Sequence, residues 1–199
     1  MAILVTGGAR SGKSGFAERY AQHHAARGTY IATMRPHDDE LRARVRRHRA
    51  ERAASGFVWQ TIEAPSDLAA QLVELEGASD SCVLVDCLTL WLTDQLLQLE
   101  AEGGETWSDR MEEELERRIE RLASAAEQAR GLLILVTNEV GSGIVPAYPL
   151  GRRFRDAAGR LNARIAAVCD EVFLVTAGIP VELKAIAYRL DGERGEGPR

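Results

Sequence analysis

Short apolar runs and longer amphipathic stretches alternate along the chain, and they predict strands and helices in turn. Strands are predicted at 2–6, 29–33, 57–62, 82–86, 132–137 and 172–175, with a last edge segment at 180–184. Helices are predicted at 13–26, where Gly28 is expected to end the helix, and at 38–54, 65–76, 88–99, 109–128 and 152–168. From about Asp191 the chain is polar and glycine-rich, and this tail is expected to be mobile.

The first predicted strand is followed by a segment with the pattern of a phosphate-binding loop. Gly7-Gly8-Ala9-Arg10-Ser11-Gly12-Lys13-Ser14 matches G-x-x-x-x-G-K-[ST] at every position, between a predicted strand and a predicted helix. Its backbone N–H groups and the positive end of the helix dipole favour a polyphosphate. Lys13 can reach the β- and γ-phosphates, and the Ser14 hydroxyl can ligate Mg²⁺. A chance match is the alternative, and the strand–turn–helix context disfavours it.

Strands that alternate with helices, several of them apolar throughout, are typical of a mostly parallel sheet covered on both faces. Together with the phosphate loop, they predict a three-layer α/β P-loop NTPase (RecA-like) fold. We expect a single domain over residues 1–190, followed by the tail at 191–199.

Composition narrows the class of protein. The 199 residues are 45% hydrophobic and 28% charged, which suits one α/β domain with a substantial core. A net charge of −5 argues against a nucleic-acid binder, and no apolar run is long enough to predict a membrane span. The N-terminus enters a strand at once, so no secretory signal is expected. Cys82, Cys87 and Cys169 form no C-x-x-C pair and are predicted to be reduced, buried thiols of a cytoplasmic protein.

Two strand ends carry polar residues that suit a site at the carboxyl edge of the sheet. Asp86 ends an apolar strand, where an acid can organise Mg²⁺. The alternative is a helix-capping aspartate, and the phosphate loop favours the metal role. Asn138 and Glu139 follow another strand, where they can orient a second substrate, with Glu139 as a candidate base. Their alternative role is to brace the loop, and the residues leave both roles open.

The helix predicted at 38–54 is unusually basic. Its basic residues are Arg42, Arg44, Arg46, Arg47, His48, Arg49 and Arg52. Leu41, Val45, His48 and Arg52 are spaced by four, three and four residues and share one face. A neutral His48 imidazole can attack an α-phosphate to form a phosphoramidate, assisted by the neighbouring guanidiniums. From the residues alone, a solvated basic helix is the favoured interpretation. The other histidines are predicted to be surface residues: His23, His24 and His37.

Further motifs accompany the phosphate loop. They are Tyr30-Ile31-Ala32-Thr33 with Asp38-Asp39-Glu40, Arg44-Val45-x-x-His48-Arg49-x-x-Arg52 with Trp59-x-Thr61-x-Glu63, the Asn-Glu-Val-Gly loop within 136–146, and Phe154-Arg155-Asp156-x-x-Gly159-Arg160-x-Asn162. With residues 3–14, they resemble the bifunctional adenosylcobinamide kinase / adenosylcobinamide-phosphate guanylyltransferases of cobalamin biosynthesis. The resemblance runs from residue 2 to about residue 184. The phosphate loop is generic, whereas the Asn-Glu-Val-Gly loop and the Phe-Arg-Asp helix are specific.

The resemblance implies two reactions and a set of residues. ATP or GTP phosphorylates the aminopropanol hydroxyl of adenosylcobinamide. GTP then guanylylates the histidine that precedes Arg-x-x-Arg, here His48, and the GMP passes to adenosylcobinamide phosphate to give adenosylcobinamide-GDP. Implied nucleotide contacts are the phosphate loop, Thr33, Met34, Arg35, Arg49, Ala50, Glu51, Arg52, Glu63 and Asp86, with Ser14 and Asp86 at Mg²⁺. Met34-Arg35-Pro36 departs from the small polar residue expected there. The resemblance also implies a homo-oligomer, a trimer.

Two other functions remain open at the level of sequence. The first is a P-loop kinase in which His48 is inert. The second is a nucleotide-dependent regulatory protein whose basic helix contacts a partner. Neither the preferred phosphoryl donor nor the corrinoid-contacting residues follow from the sequence.

Overall fold

The computed structural model describes residues 1–33, 46, 50, 52–75, 80–104 and 106–188. The tail predicted from Asp191 lies outside these ranges, as does most of the helix predicted at 38–54. Within that helix, Arg46, Ala50 and residues 52–54 are described, and all of them are helical.

The described elements follow the predicted alternation of strands and helices. The strands are β1 (Ala2–Thr6), β2 (Arg27–Ala32), β3 (Val58–Glu63), β4 (Ser81–Asp86), β5 (Leu132–Val136), β6 (Glu171–Thr176) and β7 (Ile179–Glu182). The helices are α1 (Lys13–His24), α2 (Leu68–Glu74), α3 (Leu88–Gly103), α4 (Asp109–Glu127), α5 (Pro149–Val168) and α6 (Leu183–Ile186). None of the described helices is long and apolar enough to cross a membrane.

The strands form one sheet of seven strands in the order β3-β2-β4-β5-β1-β6-β7. Across the sheet, every neighbouring pair from β3 at one edge to β6 is parallel. The strand β7 forms the other edge and pairs antiparallel with β6. The predicted mostly parallel sheet is therefore confirmed. Because parallel strands end at the same edge, the phosphate loop, Thr33, Glu63, Asp86 and Asn138 lie along one edge of the sheet.

Helices cover both faces of this sheet. Ile3 and Val5 of β1 face a core shared with Ala17 and Ala21 of α1, whereas Leu4 faces a larger core shared with α2, α3, α4 and α5. The apolar stripe predicted on α4 is buried in the larger core: Met111, Leu115, Ile119, Leu122 and Ala126. The three-layer arrangement places α1, directly after the phosphate loop, on one face and α5 on the other.

The sequence predicted that Gly28 ends the first helix, and this prediction is wrong. The helix α1 ends at His24, and Gly28 lies inside β2. A Cβ atom at Gly28 would lie 2.5 Å from the Trp59 ring of β3 and 2.8 Å from the Cys82 sulfur of β4. The glycine is needed because neighbouring side chains pack directly on the strand, so the correction has a packing cause.

Candidate active site

The phosphate loop, residues 7–14, joins β1 to α1 in a conformation that requires glycine at two positions. Gly12, the N-cap residue of α1, has a φ of 93°, in the left-handed region. A Cβ atom at Gly7 would lie 2.4 Å from the carbonyl oxygen of Val175 in β6. A side chain at either position would strain the loop or push it away from the sheet.

Both sides of the phosphate loop are anchored by backbone hydrogen bonds. The Glu139 N–H donates to the Gly7 carbonyl at 3.1 Å, and the Gly178 N–H donates to the Ser11 carbonyl at 2.8 Å. The buried Lys13 side chain donates from Nζ to the Gly8 carbonyl at 3.2 Å. The Lys13 ammonium is therefore held against the phosphate loop, where it is predicted to contact the β- and γ-phosphates.

Asp86 lies at the end of β4, half-buried, and its carboxylate does not cap a helix. The helix α3 takes Cys87 as its N-cap residue and has no side-chain cap hydrogen bond. The Asp86 carboxylate instead accepts a hydrogen bond from the Tyr30 hydroxyl, with the two oxygens 3.0 Å apart. The helix-capping alternative is wrong for this residue, and the metal role stays a prediction.

Tyr30 links Asp86 to the basic helix. The Arg52 guanidinium lies over the Tyr30 ring, 3.7 Å from its centre, and 3.8 Å from the Glu18 carboxylate of α1. Arg52 is only 5% exposed, which is rare for an arginine. Burial first, and then the negative charge of Asp86, raise the pKa of Tyr30 well above its usual value. The tyrosine therefore stays protonated and remains a donor to Asp86.

Thr33 braces the strand ends beside Asp86. Its hydroxyl donates to the Cys87 carbonyl at 2.7 Å and accepts from the Cys87 N–H at 2.9 Å. The backbone N–H of Thr33 also donates to the Asp86 carbonyl at 3.2 Å. The only proton of the Thr33 hydroxyl is thus committed within the protein, so the hydroxyl cannot donate it to a nucleotide.

The loop after β5 lies next to the phosphate loop, and Glu139 braces it. The Glu139 carboxylate accepts from the N–H groups of Gly141 at 2.7 Å and Ser142 at 3.2 Å. Of the two roles left open for Glu139, loop bracing is the one that the structure displays. The main chain of Asn138 is held by Thr89 and Asn162.

The remaining predicted site residues fall into two groups. Ala50 and Glu63 are described and exposed, with Glu63 at the end of β3. His48, Met34, Arg35, Arg49 and Glu51 lie outside the described residues, and so does His37. The exposure predicted for His23 and His24 and the burial predicted for the three cysteines are both confirmed.

Two supporting residues, Tyr30 and Asn162, had been given no role from sequence. Tyr30 carried a usable signal, because a buried tyrosine in an apolar strand normally has a hydrogen-bond partner for its hydroxyl. For Asn162 the position within a helical motif gave no comparable sign of its partners.

The donors at this edge suit Mg²⁺ bound together with a nucleotide. Across the ranges given above, no cluster of three or more His, Cys, Asp or Glu side chains is placed to hold a metal by itself. Mg²⁺ is commonly held by one or two carboxylates together with substrate phosphates. A hydroxyl at Ser14 and a carboxylate at Asp86, on the edge that the phosphate loop shares, fit that requirement.

Comparisons with known proteins agree on one family. A family model described as cobinamide kinase / cobinamide phosphate guanyltransferase matches residues 3–183. The bifunctional adenosylcobalamin biosynthesis protein CobU of Salmonella typhimurium is 44% identical over 186 residues, covering 92% of this chain and 100% of that protein. The corresponding CobP of Pseudomonas aeruginosa is 43% identical over 184 residues, covering 92% and 98%. CobU of Escherichia coli is 40% identical over 189 residues, covering 92% and 100%.

Among solved structures, the RadB recombinase is similar at 20% identity and a TM-score of 0.40, over 87% of this chain and 73% of that one. The assignment of the fold rests on the strand order and the phosphate loop rather than on this likeness.

Proposed function

This chain belongs to the cobinamide kinase / cobinamide phosphate guanyltransferase family, and we propose that it carries out both reactions of that name. In the first, a nucleoside triphosphate phosphorylates the aminopropanol hydroxyl of adenosylcobinamide. In the second, GMP passes from GTP to the adenosylcobinamide phosphate, giving adenosylcobinamide-GDP. The observation that carries the proposal is the phosphate loop anchored between β1 and α1, with Asp86 on the same edge of the sheet.

In the kinase reaction, the phosphate loop binds the triphosphate through its backbone N–H groups and the N-terminus of α1. Lys13 stabilises the charge on the β- and γ-phosphates. Ser14 and Asp86 would hold Mg²⁺, which when bound neutralises charge on the phosphate oxygens. The oxygen of the acceptor hydroxyl bonds to the γ-phosphorus, the nucleoside diphosphate leaves, and the hydroxyl proton is released to the medium.

In the guanylyl transfer, we assign the nucleophile to His48. Its neutral imidazole nitrogen attacks the α-phosphorus of GTP, pyrophosphate leaves, and a guanylyl-phosphoramidate forms. A phosphate oxygen of adenosylcobinamide phosphate then attacks the same phosphorus and releases His48. Arg52 supports this assignment, because it follows His48 by four residues and is anchored on Tyr30 beside Asp86.

Labelling with α-phosphate-labelled GTP tests the assignment. We expect label to stay on the denatured wild-type protein and to be absent from His48→Asn. The matched control is His23→Asn, an exposed histidine on α1 that should keep the label. Kinase activity without any label on the protein would indicate a P-loop kinase in which His48 is inert. No turnover of adenosylcobinamide, combined with nucleotide-dependent partner binding, would indicate the regulatory protein.

We further propose one domain over residues 1–190 with a tail at 191–199, assembly as a homotrimer, both ATP and GTP as substrates, and a cytoplasmic location. The three buried free thiols, Cys82, Cys87 and Cys169, support a reducing compartment.

Ile144 is 97% exposed and Tyr148 63% exposed on the β5–α5 loop, which supports a surface that assembly covers. Sedimentation equilibrium measures the oligomeric state, and a monomeric mass would refute the trimer.

A further inference from the structure

Four polar residues at the end of β5 form a closed ring of hydrogen bonds. The Asn138 N–H donates to the Thr89 hydroxyl at 2.8 Å, and the Thr89 and Thr137 hydroxyl oxygens lie 3.4 Å apart. Thr137 donates to Oδ1 of Asn162 at 2.8 Å, and Nδ2 of Asn162 donates to the Asn138 carbonyl at 3.0 Å. The ring joins α3, the end of β5 and α5.

The direction of each hydrogen bond in the ring is determined. The single hydroxyl proton of Thr137 goes to Asn162, so the weaker Thr89–Thr137 contact requires Thr89 to donate. Thr137 is 1% exposed and Thr89 is 8% exposed, so water has little access to replace a lost partner. Removing one member leaves buried polar groups unpaired, which makes the ring a rigid support.

The ring holds Asn138 from both sides of its own main chain. Its N–H and its carbonyl are both engaged, whereas its side-chain amide has no hydrogen bond with any other residue in the described part of the chain. The next residue, Glu139, donates its N–H to the Gly7 carbonyl at 3.1 Å. The ring therefore fixes Asn138 against the phosphate loop while leaving its carboxamide available.

The sheet order decides what Asn138 lies between. Strand β5 is flanked by β1, which leads into the phosphate loop, and by β4, which ends at Asp86. Ile134 and Val136 belong to the core on the α1 face, and Asn138 is the next residue in that alternation. Leu84 of β4 lies on the same face, and Asp86, two residues after it, belongs to that face by the same alternation.

We propose that the Asn138 carboxamide contacts the reacting γ-phosphate in the kinase reaction, and that Asn162 is the positioning residue that holds it there. The inference rests on the proposed function. The Asn138 NH₂ group donates to an equatorial oxygen of the phosphoryl group, where negative charge is spread in the transition state. Asn162 does not touch the substrate and acts through the main chain of Asn138.

The direct test is a double-mutant cycle on the kinase reaction with ATP and adenosylcobinamide. Asn138→Ala and Asn162→Leu are each expected to lower kcat by about 100-fold, the lower end of what the loss of one aligned donor costs, and to change the KM for ATP less than about threefold. The double variant should lose no more than about threefold beyond the worse single variant, because both changes remove the same contact. Losses that multiply, or an unchanged kcat in Asn162→Leu, would overturn the inference.

Asn162→Asp supplies a readout that a merely structural role would not move. The carboxylate can accept from Thr137 but cannot donate to the Asn138 carbonyl, whereas the protonated acid can do both. The kcat of the variant relative to wild type is therefore expected to rise as pH falls towards the carboxyl pKa. A ratio that is flat with pH counts against the ring.

Thr89→Val and Thr93→Val are the matched pair on one helix. Thr93 donates its hydroxyl to the Thr89 carbonyl at 3.0 Å within α3 and lies outside the ring. Thr89→Val should lower kcat at least about fivefold, and Thr93→Val should stay within about twofold of wild type. Equal losses in the two would overturn the inference.

The failure of the ring can be told apart from the failure of the proposed function. If wild type turns over adenosylcobinamide and the ring variants match its kcat, only the inference about the ring fails. If wild type has no turnover, the proposed function fails.

Discussion

The phenolic oxygen of Tyr30 lies 3.0 Å from Oδ2 of Asp86, and the same ring lies 3.7 Å beneath the Arg52 guanidinium. One side chain on β2 therefore contacts both the acid assigned to Mg²⁺ and Arg52, which lies four residues after His48 in the sequence. Burial and the Asp86 charge raise the pKa of Tyr30, so the hydroxyl keeps its proton and its hydrogen bond. The two proposed reactions share this contact.

Tyr30→Phe removes the hydrogen bond to Asp86 and keeps the ring under Arg52. We expect the Mg²⁺ concentration for half-maximal kinase activity to rise about 10-fold, since losing a partner that orients a ligand carboxylate has that order of effect. Stability should fall by only about 1 kcal/mol, the net worth of one hydrogen bond. Mg²⁺ titrations of initial rate measure the first effect.

Tyr20→Phe is the control for this change. Tyr20 also donates to a carboxylate, that of Glu171 at 2.7 Å, but Glu171 begins β6, at the opposite end of the strands. Its loss should leave the Mg²⁺ requirement unchanged. An equal rise in both variants would contradict the assignment of Asp86 to the metal.

Arg52→Lys tests the contact on the other face of the Tyr30 ring. A lysine keeps the charge but has no planar guanidinium to stack on the ring, and burying its strongly hydrated ammonium is costly. We expect the free energy of unfolding in urea to fall by about 1–2 kcal/mol, the scale of a buried cation–π contact. The rate of protein labelling by α-labelled GTP should fall as well, because the helix loses its anchor.

The comparison for Arg52→Lys is Arg46→Lys, an exposed position in the same basic segment. Its unfolding free energy should change by less than about 0.5 kcal/mol, as is usual for surface substitutions. Identical values for the two variants would show that Arg52 contributes nothing through the ring.

Local patterns determined the parts of this protein that were predicted correctly. The apolar strands and the Gly7–Ser14 loop each depend on a few adjacent residues, and the structure has them where expected. The missed features depend on distant partners: Tyr30 bonds Asp86 from 56 positions away, and Asn162 bonds Thr137 from 25 positions away. No local spacing encodes such pairs, since they form only when the sheet order brings the strand ends together.

Gly28 shows the same division between local and distant causes. A glycine shortly after a helical stretch has the local signature of a helix end, yet its true constraint is the Trp59 ring on another strand. Gly28→Ala should therefore lower the free energy of unfolding by about 1–3 kcal/mol, the usual cost of overpacking a core. Thermal or urea unfolding measures it.

Gly159→Ala gives the opposite sign for the same chemical change. Gly159 is exposed within α5, and nothing lies within 4 Å of an added Cβ atom. The alanine should raise stability by about 0.5–1 kcal/mol, because it restricts the unfolded chain and favours the helix. If both alanines destabilise equally, the contact between Gly28 and Trp59 does not explain the first result.

The buried thiols predict a loss of stability at alkaline pH. Burial raises the pKa of Cys82 from 9.0 to about 11. As pH rises above about 9, the thiol ionises in the unfolded chain but stays protonated in the folded one, so the unfolded state binds fewer protons and stability falls. This contribution is fully present below about pH 9 and is lost as pH rises to about 11, with a maximum slope of about 1.4 kcal/mol per pH unit. The free energy of unfolding in urea is measured between about pH 8 and 10.5 for wild type and for Cys82→Ala. The difference between the two proteins isolates the Cys82 thiol, because all other groups that titrate in this range are common to both. The variant is less stable at neutral pH, so the slope is the quantity to compare, and parallel curves for the two proteins would contradict a buried neutral thiol at this position.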